Sequence, residues 1–100
     1  MKDIYKLIWT DEALNGLKEI FNYFERRFAK KDTQEFARKL DERLELLKTS
    51  PKTFAFTNKS KNIRRTVIAR LTSVYYRIEG NEVQIISVFD NRQNPDILKQ

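Results

Sequence analysis

The side chains of this chain that could do chemistry are cationic. Between Leu46 and Ile78 there is no Asp or Glu, yet eight basic residues fall there: Lys48, Lys52, Lys59, Lys61, Arg64, Arg65, Arg70 and Arg77. A further guanidinium, Arg92, sits in Asp90-Asn91-Arg92-Gln93-Asn94-Pro95, a stretch that reads as a sharp corner. Groups of one sign gathered this way favour an anionic partner. Nucleic acid, an acidic protein segment and an acidic enzyme surface all qualify. A second reading needs no partner, because Lys and Arg also keep a solvated edge strand soluble. The candidate target-binding set is Arg64, Arg65, Arg77, Arg92, Lys59 and Lys61. For Arg92 the alternative is structural: a salt bridge to Asp90 or Asp96, or a carbonyl contact that closes the corner.

Other chemistries are excluded by composition. The chain has no His and no Cys. Thiol nucleophiles, disulfides, zinc sites, Ser-His-Asp triads and histidine acid–base work go together. No cofactor or metal is expected. The net charge of +6 lies mostly in the second half: residues 51–100 carry 9 Lys/Arg against 4 Asp/Glu, and residues 1–50 carry 11 against 10. With 40% apolar and 34% charged residues, the chain reads as one folded, charge-rich domain over residues 1–100. No secretory signal or membrane-length apolar run is expected, and the cytosol is the expected compartment.

The basic residues need a frame, and the stretch from Ile63 to Pro95 supplies it. Beta-branched and aromatic residues crowd it, and Gly80-Asn81 sits between two such runs, the signal of a two-residue hairpin. With that loop Tyr76 faces Ile85, Arg77 faces Gln84, Ile78 faces Val83 and Glu79 faces Glu82. Val74, Tyr76, Ile78, Val83 and Ile85 then share the core side, while Arg77 and Gln84 look outward. The Glu79–Glu82 pair is mildly unfavourable.

Upstream, residues 4–9 read as a first strand. Thr10 can cap a helix, with Asp11 and Glu12 in its first turn. Ala13, Leu17, Ile20, Phe21, Phe24 and Phe28 follow at helical spacing. The Phe residues could line a ligand pocket, but packing against a sheet explains them better. Asp32 and Glu35 resemble a capping box for a second helix, which carries Phe36, Leu40, Leu44 and Leu47 inward and stops at Ser50-Pro51. Residues 51–62 read as loop; Phe54 and Phe56 could present rings to a partner, but anchoring the loop to the core explains them better. The expected fold is α+β: an N-terminal strand, an antiparallel helix hairpin, then a three-stranded antiparallel meander. The sheet would be twisted and four-stranded, with both helices on one face. The other face would stay open, basic and bordered by the loop.

In order, these pieces resemble the RelE/ParE superfamily of toxins from bacterial type II toxin–antitoxin systems. Trp9-Thr10-Asp11-Glu12-Ala13 is similar to the family's opening strand and its turn into the first helix. Ile63-Arg64-Arg65-Thr66-Val67, Val74-Tyr75-Tyr76-Arg77-Ile78 and the run from Ile85 to Pro95 are similar to its later strands and closing corner. The resemblance implies a cognate acidic antitoxin, flexible until it folds over the toxin. It also implies one of two targets. ParE-like relatives poison DNA gyrase without known chemistry. RelE-like relatives cut messenger RNA on the ribosome with a cluster of Lys and Arg.

RNA cleavage needs a proton taken from the 2′-hydroxyl, charge stabilised on the phosphate, and a proton given to the leaving oxygen. On the nuclease pattern Arg64, Arg77 and Arg92 would hold phosphate, with Lys61 or a Tyr moving protons. Arg itself hardly releases a proton. Thr66 and Ser73 stand where that pattern has cations, and no Tyr follows Pro95. The ParE-like reading, a toxin that binds its target, therefore fits better. A plain nucleic-acid-binding domain ranks last, because the Phe residues do not interleave with the basic strand residues as a stacking platform would require.

Overall fold

The computed structural model describes residues 4–91. Along the chain lie β1 (Lys6–Trp9), α1 (Asp11–Arg27), α2 (Lys30–Thr49), a 3₁₀ turn (Pro51–Thr53), β2 (Phe56–Asn58), β3 (Ile63–Ile68), β4 (Thr72–Glu79) and β5 (Glu82–Asp90). The strands form one sheet in the order β1-β5-β4-β3-β2. β1 runs parallel to β5, which the intervening helix hairpin makes possible, and the other neighbours are antiparallel. The expected α+β order is therefore present, with one strand more than expected.

The extra strand is β2, in the stretch read as loop. Three residues are too few for an alternating pattern to show in the sequence. Its turn is built from side chains: Asn58 Oδ1 accepts from Ser60 Oγ (3.0 Å) and from the Lys61 amide (3.1 Å). Asn62 takes φ 60°, which Asn tolerates, and its Nδ2 donates to the Ile78 carbonyl at 2.8 Å.

Thr10 caps α1 as expected, its hydroxyl accepting from the Ala13 amide at 3.1 Å. The same hydroxyl donates to the Ile86 carbonyl at 2.8 Å. That contact marks a β-bulge. Tyr76 pairs with Ile85 but Tyr75 pairs with Ser87, so Ile86 is the additional residue. The bulge changes the phase of β5: Val83 and Ile85 point inward before it, Val88 and Asp90 after it.

The expected cap at Asp32 is not used. α2 starts at Lys30, with Ala29 at the cap position and no side-chain cap bond. The Asp32 and Thr33 amides already donate to the Ala29 carbonyl, at 2.9 and 3.2 Å, so helix begins earlier than Asp32. Asp32 remains in the first turn, where its charge suits the helix dipole.

Both helices pack on one face of the sheet. Ala13, Ile20 and Phe24 of α1 and Phe36, Leu40 and Leu47 of α2 close over Ile68, Val74, Tyr76, Val83, Ile85 and Val88. The Phe24 ring lies 5.0 Å from Phe28 and 4.8 Å from Phe36, centroid to centroid, joining the helices near their link. These rings are packing elements, as expected, although a groove of about 330 Å³ runs beside them to Ala69 and Leu71. Gly16 sets the approach of α1 to β5, because a Cβ there would lie 2.0 Å from the Val88 carbonyl oxygen. No described helix is long and apolar enough to cross a membrane.

Candidate functional site

The hairpin at Gly80 (φ 58°) and its register match expectation: Tyr76 faces Ile85, Arg77 faces Gln84, Ile78 faces Val83 and Glu79 faces Glu82. β3 adds the pairs Arg64–Tyr76 and Arg65–Tyr75. Alternation then divides the basic residues between the two faces of the sheet. Arg64 shares the side of buried Tyr76, toward the helices. Arg65 shares the side of Tyr75 and Arg77, away from them.

Arg64 is held by its own chain. Its guanidinium donates to the Phe54 carbonyl at 2.7 Å and reaches the Lys52 carbonyl at 3.4 Å. It also stacks 3.9 Å above the Phe56 ring. The segment it grips is tied down twice more. The Tyr76 hydroxyl donates to the Pro51 carbonyl at 2.6 Å. Arg43 of α2 lies over Phe54 at 5.1 Å and donates to the Val67 carbonyl at 2.9 Å and to Thr66 Oγ1. Burial pushes the Tyr76 phenol up to about 12, with Arg64 and Arg43 pulling weakly the other way. Phe54 thus packs against the core as expected, with Arg43 over its ring, whereas Phe56 is exposed and is covered on one side by Arg64.

The opposite face carries Arg65, exposed, and Arg77, half-buried. Arg77 Nε is shielded from water and has no hydrogen-bond partner among the described residues. Such a donor costs about 1–3 kcal/mol until an acceptor meets it. Arg64 Nε is in the same condition on the other face. Lys59 and Lys61 project from the exposed β2–β3 turn at the sheet's edge. Arg92 lies outside the described residues. The structure therefore places Arg65 and Arg77 together, puts Lys59 and Lys61 at the margin, and turns Arg64 away. Thr66 and Ser73 are both buried.

Two features of this face escaped the sequence reading. Tyr75 and Phe89 stack there, ring centroids 5.6 Å apart and planes 25° from parallel. Tyr75 sits between Ser73 and Arg77 along β4, and opposite Arg65. The β3–β4 register would have revealed this, but its turn has no Gly or Asn. Ala69 and Arg70 instead adopt φ 54° and 70°, closed by the Leu71 amide on the Ile68 carbonyl. Among the described residues no group of His, Cys, Asp and Glu could hold a metal ion.

No curated protein matches the chain in sequence. Among solved structures, a chain from the chromosomal ParDE TA system of P. aeruginosa superposes with a TM-score of 0.71 at 18% identity, covering 87% of this chain and 96% of that one. At that identity the likeness speaks for the fold. Residues 7–95 match the family described as the ParE toxin of the type II toxin–antitoxin system parDE, and the chain belongs to that family of toxins.

Proposed function

We propose that this toxin acts by binding a macromolecular target without chemistry, that the target is DNA gyrase, and that the Arg65–Arg77 face makes the contact. The observation that carries this reading is the division of the arginines. A ribonuclease would need Arg64 and Arg77 on one phosphate. Arg64 lies on the helix side, engaged with the Phe54 carbonyl and the Phe56 ring, and Arg77 lies on the other. Side chains on opposite faces of a strand pair do not converge on one group. Proton transfer would further require Lys, Tyr, Asp or Glu, because the chain has no His.

The cation-rich surface also suits an acidic antitoxin segment, flexible alone and folding as it covers the toxin. The cytoplasm, where gyrase works, is the compartment this reading requires. The test is a supercoiling assay with purified gyrase and toxin. Supercoiling is expected to fall at micromolar toxin and to recover when the antitoxin is added. Undiminished supercoiling, or codon-position cuts in translated messages by primer extension, would replace this reading with another.

A further inference from the structure

The helix-free face of the sheet brings together stacked rings, an exposed guanidinium and a shielded donor. Tyr75 and Phe89 are half-buried and stack on one another. Arg65 is the cross-strand partner of Tyr75 and is exposed. Arg77 follows two residues along β4 on the same face, its Nε lacking an acceptor among the described residues. Gln84 stands opposite Arg77, adding an amide that can donate and accept. Both helices pack on the other face of the sheet.

We propose that this face is a binding site for single-stranded polynucleotide. An unpaired base stacks against the Tyr75–Phe89 pair, and the flanking phosphates lie on Arg65 and Arg77. Every base presents a π-face, so ring stacking binds single strands with little regard to sequence. Guanidinium forks suit phosphate oxygens, and Arg65 and the outer nitrogens of Arg77 are the groups that would meet them. The charge of the chain fits this occupant, since residues 46–78 hold eight cations and no acid. Glu79 and Glu82 close the face at the β4–β5 turn, so a strand would run away from that turn, past Tyr75 toward Ser73 and Phe89. A duplex cannot use the rings, because its bases are already stacked inside it.

The site does not depend on which protein the toxin poisons. Its assay contains no gyrase, so failure of one proposal is distinguishable from failure of the other. Fluorescence anisotropy of the full chain with labelled twelve-nucleotide probes, as single-stranded DNA, single-stranded RNA and the matching DNA duplex, reads the binding directly. The single strand is expected to bind at least tenfold tighter than the duplex. Tyr75→Leu, which keeps an apolar side chain in the strand, is expected to remove most of that difference. Arg65→Gln is expected to weaken binding to every probe alike and to lower the salt slope by about one. Preference for DNA or for RNA would identify the source of the strand, and either supports the site. Equal binding of duplex and single strand, or an unchanged preference in a Tyr75→Leu protein that melts like the parent, would overturn it.

Discussion

Arg64→Ala separates a structural arginine from a ligand-binding one. The wild-type guanidinium makes a 2.7 Å bond to the Phe54 carbonyl. A hydrogen bond involving a charged group contributes about 1.5–3 kcal/mol. The contact to Lys52 at 3.4 Å adds little. The stack on Phe56, itself 37% exposed, adds about 0.5–1 kcal/mol. Against this, Arg64 Nε is shielded and has no partner among the described residues, and removing it recovers part of the loss. The net expectation is a destabilisation of about 2 kcal/mol. For a domain of this size that lowers Tm by roughly 8–16 °C. Arg65→Ala is the control, because an exposed side chain with no partner among the described residues changes stability by less than about 0.5 kcal/mol. Thermal melts and urea unfolding followed by circular dichroism measure both variants. Should Arg64→Ala melt within a degree or two of the parent, Arg64 would be free for a ligand and the division of the two faces would lose its meaning.

Three further outcomes follow from the packing. Gly16→Ala forces a methyl against the Val88 carbonyl, so α1 must lift from β5, and denaturant unfolding should show a loss of about 1–3 kcal/mol. Arg70→Gly relieves a left-handed residue in the β3–β4 turn, where a non-glycine costs about 1–3 kcal/mol, and should raise the urea midpoint. Tyr76 has a folded pKa of about 12 against the usual 10.0. A raised pKa favours the protonated form in the folded state. Its contribution is therefore whole below pH 10 and lost as pH rises through 12. Stability measured across that window should fall more steeply in the parent than in Tyr76→Phe, which should itself lose about 1 kcal/mol at neutral pH with the Pro51 bond.

Much of this fold could be read from residue types because its signals are local. Thr10 with Asp11 and Glu12 marks the start of α1, Ser50-Pro51 ends α2, and Gly80-Asn81 fixes the last hairpin with its register. What stayed hidden depends on contacts between distant residues. β2 exists because Arg64, Arg43 and Tyr76 pin residues 51–56 beside β3. The bulge at Ile86 lies within a continuous apolar run, so no break in pattern betrays it, and Thr10 holds it from 76 positions away. The β3–β4 turn uses Ala69 and Arg70 where Asn-Gly would have announced it. Without that turn the pairing of Arg65 with Tyr75 was invisible, and Arg64 was grouped with residues it turns away from. Arg92, which the sequence placed at the closing corner, lies outside the described residues.

Supercoiling by purified DNA gyrase, titrated with this toxin and with its Arg65→Gln/Arg77→Gln variant, tests the central claim most directly. A target engaged through the helix-free face predicts inhibition by the parent at micromolar concentration and little by the double variant, with both proteins equally folded. Full supercoiling in the presence of the parent, or equal inhibition by the two proteins, would contradict it.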